Sequence, residues 1–127
     1  MKILVVDDER AIRSLLTAAL SREGWGVETA TDGAEGIVKF DSGCFDLVIT
    51  DIHMPAVDGR GLVHHIRKSK RPQTPTLGMT GSPKDTAEFD FDTVLPKPLR
   101  LKTLTSEVRR LTENRRNSEC RRFYPAG

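Results

Sequence analysis

Three aspartates, a threonine and a lysine in this chain are of the types that together perform phosphoryl chemistry: Asp7, Asp8, Asp51, Thr80 and Lys97. An ionised aspartate is a nucleophile toward phosphorus and gives an acyl phosphate. Clustered carboxylates raise one another's pKa unless a cation sits among them. A hard divalent ion relieves the repulsion, and Mg2+ accepts a few carboxylates while keeping water and phosphate oxygens in its octahedron. A lysine adds a point charge and a threonine a hydroxyl donor for the phosphoryl oxygens. Taken singly, each residue has a plainer reading, as a turn former, a helix cap, a loop residue or a surface lysine. The case rests on their convergence.

Convergence depends on the elements that carry them. Lys2–Val6 is a short, nearly all-apolar run, as expected of a strand buried on both faces. Asp8 offers an N-cap for a helix over about 9–22, with Ile12, Leu15, Leu16, Ala19 and Leu20 at helical spacing and Gly24 ending it. A strand near Val27–Ala30 leads to a helix from about Gly33, with Ile37, Val38 and Phe40 facing inward. Residues Asp46–Thr50 form the third strand, stopping at Asp51, and Leu62, Val63 and Ile66 mark the next helix. Two weaker strands, Thr76–Thr80 and Thr93–Leu95, precede a last helix from Leu101 to about Arg115. Alternating strands and helices imply right-handed crossovers and a parallel sheet covered on both faces, a three-layer α/β sandwich. In such a sheet ligands bind beyond the carboxyl ends of the strands. Asp7-Asp8, Asp51 and Thr80 end strands there, and Lys97 follows the fifth.

The segments that carry this rim are VVDDE at 5–9, DIHMPAVDG at 51–59, MTG at 79–81 and LPKPL at 95–99. With them the chain resembles a response-regulator receiver domain, CheY-like and stand-alone, over roughly residues 1–115. The resemblance implies a five-stranded parallel sheet in the flavodoxin-like order 2-1-3-4-5. It implies that Asp51 accepts a phosphoryl group from a sensor histidine kinase or phosphotransfer protein. Asp7, Asp8, Asp51 and the backbone carbonyl of His53 would hold Mg2+, with Mn2+ as an alternative. Thr80 would contact the phosphoryl group and move when it arrives, Lys97 would pair with the phosphorylated aspartate, and Lys97–Pro98 would be cis. The domain would be a signalling module, not an enzyme beyond its own phosphorylation and dephosphorylation.

Three departures bear on output. Val94 stands three positions before the lysine, where the family usually has an aromatic. Only 17 positions separate Thr80 from Lys97, about five fewer than the family pattern, so the fourth helix is expected to be short or absent. Gly81 and Ser82 make the loop after Thr80 pliable. Signalling is therefore expected to use the loop at 81–92. His53 is read as contributing only its carbonyl, and His64 and His65 as lying away from the rim.

Bulk properties set the frame. The 127 residues suit one domain, read as 1–116 with a basic tail at 117–127. Residues 100–127 hold 8 Lys/Arg against 3 Asp/Glu, a charge read as a solvated helix face and a frayed end. Direct DNA binding through it is not expected, since contact with phosphates alone would be non-specific. Cys44 and Cys120 fit neither a disulfide framework nor a zinc site. No run approaches the ~20 apolar residues of a membrane span, so a cytoplasmic protein is expected. So few residues follow the last helix that output through a downstream protein partner is expected.

Other classes fit less well. A haloacid-dehalogenase-like phosphatase needs DxDx[TV] after strand one, where this chain has Asp7-Asp8-Glu9-Arg10. A flavodoxin-like carrier needs a phosphate loop there, which these acids would repel. A receiver-like module that is never phosphorylated would lack the acids.

Overall fold

The computed structural model describes residues 1–82 and 90–113. Within them lie β1 (Lys2–Val6), α1 (Arg10–Arg22), β2 (Gly26–Ala30), α2 (Gly33–Ser42), β3 (Leu47–Asp51), α3 (Gly59–Arg67), β4 (Thr76–Thr80), β5 (Thr93–Pro96) and α4 (Leu101–Thr112). All strand pairs are parallel, in the order β2-β1-β3-β4-β5 that the family resemblance implied.

Alternation along the strands sorts the core onto two faces. Ile3 and Val5 of β1, with Leu47 and Ile49 of β3, pack against Leu16 and Leu20 of α1 and Leu104, Val108 and Leu111 of α4. Leu4, Val6 and Val48 point the other way, onto Phe40 of α2 and Leu62 and Ile66 of α3. Strands buried on both faces read as continuous apolar runs, which is why β1 and β3 were legible as such.

Several local expectations are corrected. Glu9, not Asp8, occupies the N-cap of α1, because Asp7 Oδ1 accepts the Glu9 N–H at 2.8 Å and delays the first helical turn. Leu15 is 45% exposed, and the buried stripe of α1 narrows to Leu16 and Leu20. Val38 is 65% exposed, since α2 turns Gly33, Gly36 and Phe40 inward at spacings of three and four. The end of α1 follows expectation. Gly24 at φ 84 lets its own N–H reach Ser21 O and the Trp25 N–H reach Leu20 O, the paired bonds of a Schellman motif.

The expected shortening of the helix before β5 falls largely on residues 83–89, outside those described, as do the end of the last helix and the basic tail. Cys44 is disulfide-bonded, against the sequence reading; Cys120 lies outside the described residues. Among the described residues no helix is long and apolar enough to cross a membrane.

Candidate phosphoryl and metal site

The five singled-out residues sit at one end of the sheet, at the carboxyl ends of the strands. β1 stops at Val6, and Asp7 continues its ladder by donating its N–H to Ala30 O at 3.1 Å. Asp7 is fully buried and Asp51, last residue of β3, is nearly so, while Asp8 and Glu9 face solvent. Oxygens of Asp7, Asp8, Glu9 and Asp51 all lie within 4.8 Å of one another.

The turn after Asp51 is built to keep that aspartate in place. The Ile52 N–H donates to Met79 O at 2.9 Å and the Gly59 N–H to Ile52 O at 3.0 Å, closing the loop onto the sheet. Asp58 then caps α3, its Oδ1 accepting from the Arg60 and Gly61 N–H groups. Only glycine fits at 59, since a Cβ there would lie 2.4 Å from the Asp51 carbonyl oxygen. Ala56 takes φ 59, a left-handed conformation uncommon for a residue with a side chain, so this turn carries strain beside the site.

Lys97 enters from β5. Its N–H donates to Thr80 O at 2.8 Å, which extends the β4–β5 ladder and fixes both residues by backbone. Its Nζ lies 3.0 Å from Asp51 Oδ2, 3.4 Å from Asp7 Oδ2 and 3.8 Å from Glu9 Oε1. The Lys97–Pro98 bond is cis, as the resemblance implied. Burial pushes the Asp7 carboxyl above its ordinary value, against the Glu9 N–H and the Lys97 charge, which pull it down. Burial alone would lower the Lys97 ammonium, but its hydrogen bond to Asp51 and the charges of Asp7 and Asp51 outweigh that and raise it.

Thr80 is buried at the same edge, with its hydroxyl turned toward the chain that follows. Its Oγ1 accepts the Ser82 N–H at 2.9 Å and donates to Ser82 O at 3.2 Å. The His53 N–H donates to Asp51 Oδ1 at 3.1 Å. His65 lies elsewhere, paired with Asp41 of α2 at 2.8 Å.

Sequence reading missed two members. Glu9 joins the acidic group, a placement that its adjacency to Asp7-Asp8 could have suggested. Arg13 donates from Nη1 to the Asp7 carbonyl oxygen at 2.8 Å. Nothing in the spacing announces that bond, because it runs from one helical turn inside α1 back to the strand end.

The donor set tests the metal. Four clustered carboxylates, with no sulfur or imidazole joining them among the described residues, suit a hard, oxygen-seeking divalent ion, and Mg2+ fits.

Fold and rim define a flavodoxin-like α/β signalling domain with an acidic centre at its switch-point edge. The chain belongs to the response regulator receiver domain family, which matches residues 3–109. Domains of this family are the phosphoacceptors of two-component signalling. The chain is 39% identical over 127 residues to the transcriptional regulatory protein TrcR of Mycobacterium tuberculosis, covering 96% of this chain and 48% of TrcR. It is 34% identical to the transcriptional regulatory protein CpxR of Klebsiella pneumoniae, covering 99% and 55%. The chain thus spans about half the length of the curated relatives it matches. Among solved structures, it resembles the chemotaxis protein CheY4 of Vibrio cholerae, at 33% identity and TM-score 0.80 over 87% of this chain and 97% of that one. The response regulator TrrA of Thermotoga maritima, in complex with Mg2+-BeF, gives 37% identity and TM-score 0.79 over 87% and 97%.

Proposed function

We propose that Asp51 is the phosphoacceptor of this receiver domain and that its phosphorylation requires a divalent ion held by Asp7, Asp8, Asp51 and the carbonyl of His53. One observation carries the reading: Asp51 Oδ2 lies 3.0 Å from the Lys97 ammonium inside a cluster of four carboxylates. An Asp51 oxygen bonds to phosphorus as the P–N bond of a phosphohistidine donor breaks, and the freed imidazole takes a proton from solvent. Lys97 holds charge that develops on the phosphoryl oxygens, and Thr80 gives up its bond to the Ser82 carbonyl to donate its hydroxyl to one of them. Mg2+, with Mn2+ as an alternative, supplies further positive charge there when bound. Water attack on the acyl phosphate returns free Asp51, so the domain catalyses its own phosphorylation and dephosphorylation and nothing else.

The donor partner is a sensor histidine kinase or phosphotransfer protein, and the location is cytoplasmic. A disulfide at Cys44 runs against a reducing compartment, and thiol titration of freshly lysed cells decides between them. The receiver is taken as residues 1–116 and the basic tail as 117–127. Its relatives are transcriptional regulators twice its length. Output here is assigned to protein contacts of the receiver, not to direct contact of these residues with DNA. Val94, half-buried and opposite Gly78, offers no ring to move. The 81–92 segment is therefore assigned the signal, and unchanged amide exchange there on adding beryllofluoride would remove that assignment.

The test of the site is mass spectrometry with Mg2+ and acetyl phosphate. A gain of about 80 Da, the mass of one phosphoryl group, that Asp51→Asn abolishes is expected. Turnover of many substrates without an adduct would sink the reading in favour of a phosphatase.

A further inference from the structure

We propose that Arg13 is a positioning residue for the acidic site, acting through the backbone of Asp7. The proposal rests on the reading of Asp7 as a metal ligand. Asp7 is held at every polar atom. Its N–H donates to Ala30 O at 3.1 Å, its Oδ1 accepts the Glu9 N–H at 2.8 Å, and its Oδ2 lies 3.4 Å from Lys97 Nζ. Its carbonyl oxygen accepts from Arg13 Nη1 at 2.8 Å.

The first of these bonds continues the sheet and the second is local to the turn. The Arg13 bond alone of the four ties Asp7 to the body of α1. It spans the turn that carries Asp8 and Glu9, so three of the four clustered carboxylates lie within the loop it closes. Groups that orient metal ligands from behind typically change metal affinity 10- to 100-fold when removed. Without Arg13, the carbonyl of a fully buried residue loses a charged donor, and the turn is free to relax away from Asp51.

Charge alone predicts the opposite. A guanidinium near four carboxylates repels a divalent ion, so its removal should tighten binding if charge were its whole effect. The two accounts therefore differ in sign. Arg13 also lines an open hollow of about 450 Å3 beside α1, with Arg10, Ser14 and Thr17. A shorter side chain at 13 therefore meets water and leaves no sealed void.

The experiment is isothermal titration of the intact protein with Mg2+, wild type against Arg13→Met and Arg13→Lys, with thermal melts in chelator. The expected result is about 10-fold weaker Mg2+ binding for Arg13→Met, with partial recovery in Arg13→Lys, which keeps one charged donor. Acyl phosphate yield should return to wild-type levels at saturating Mg2+. Equal or tighter binding by a folded Arg13→Met overturns the proposal, as does a lowered melting point with unchanged affinity. If Arg13→Met does not fold, Arg13→Lys carries the test, and wild-type affinity there overturns it. A wild-type affinity unmoved by Asp7→Asn would overturn the metal reading and this proposal with it. Sensitivity to Asp7→Asn without sensitivity at Arg13 overturns this proposal alone.

Discussion

The Lys97 ammonium lies 3.0 Å from Asp51 Oδ2 across 46 residues of sequence, and it bridges from there to Asp7 Oδ2 at 3.4 Å. One lysine thus offsets part of the charge of two buried carboxylates that would otherwise repel each other more strongly. It stands in the same field that a divalent ion would occupy, so the two cations compete for the carboxylates before phosphorylation and cooperate on the phosphoryl oxygens afterward.

That double role gives opposed effects in Lys97→Met. Mg2+ affinity should rise several-fold, because one of two competing cations is gone. Acyl phosphate formed from acetyl phosphate at saturating Mg2+ should fall by at least about 10-fold, as expected when a charge-stabilising group is removed. Titration calorimetry and mass spectrometry read the two separately. Weaker Mg2+ binding in this variant would show that Lys97 shapes the site instead of competing for it.

Burial of Asp7 sets a pH dependence. Its carboxyl is raised above the ordinary value of 3.8, so the folded protein holds that proton more tightly than the unfolded chain does. Metal-free stability from this group is therefore greatest below 3.8 and is lost as pH rises through the folded value. Asp7→Asn removes the penalty of a buried charge and should raise the melting temperature in chelator at pH 7 by a few degrees. In the wild type, protons compete with Mg2+, whose affinity should decline on acidification from above the usual carboxylate range. A metal-free Asp7→Asn less stable than wild type at pH 7 contradicts this account.

Much of this was legible because the strands are buried on both faces. KILVV and LVIT announce themselves as continuous apolar runs, and each ends on the polar residue that the sheet delivers to one rim. Asp51 and Lys97 could be paired from sequence through the motifs that surround them. The helices were harder, since apolar spacing does not say which residues of a stripe meet the sheet. Leu15 and Val38 match their stripes yet remain exposed because the helices rotate toward Leu16 and Phe40. Arg13 and Arg67 were invisible for another reason. Their bonds go largely to backbone carbonyls, and a carbonyl has no signature in sequence.

Gly59 and Gly81 make a controlled comparison. A Cβ at 59 would meet Asp51 O at 2.4 Å and Ile52 Cα at 2.9 Å, both backbone atoms that cannot swing away, whereas a Cβ at 81 meets nothing within 4 Å. Gly59→Ala should cost about 1–3 kcal/mol of stability in urea and slow phosphorylation, since it displaces the residue that bonds the phosphoryl group. Gly81→Ala should leave stability within about 0.5 kcal/mol. Equal stabilities would mean that the 59 turn can open without disturbing Asp51.

Arg67 ties the end of α3 to the start of β4 and to the residues that lead into β5. It donates to Pro72 O, Thr74 O, Thr76 Oγ1, Asp90 O and Asp92 Oδ2. Asp92 Oδ2 in turn accepts the Thr76 N–H at 2.8 Å. Arg67→Met should destabilise by about 1–2 kcal/mol, because its charged hydrogen bonds to the buried Thr74 carbonyl and Thr76 hydroxyl are lost together with those to three exposed acceptors. Combining it with Asp92→Asn should cost less than the sum, the mark of one network. Additive losses in urea melts would split the network into independent contacts.

Thr80 donates its hydroxyl to Ser82, and this makes its removal informative. Its hydroxyl accepts the Ser82 N–H and donates to the Ser82 carbonyl, two residues on, so donating to a phosphoryl oxygen on Asp51 means giving up the bond to that carbonyl. A valine has the same shape but can neither hold the turn nor bond the phosphate. In Thr80→Val, phosphorylation of Asp51 should persist, since the nucleophile, Lys97 and the acidic cluster are untouched. The change that phosphorylation makes in residues 81 and 82 should vanish, because no hydroxyl exchanges one partner for the other. Nuclear magnetic resonance shifts of the Gly81 and Ser82 amides, with and without beryllofluoride, measure it. Amide shifts as large in Thr80→Val as in wild type would mean that the signal leaves the site by another route.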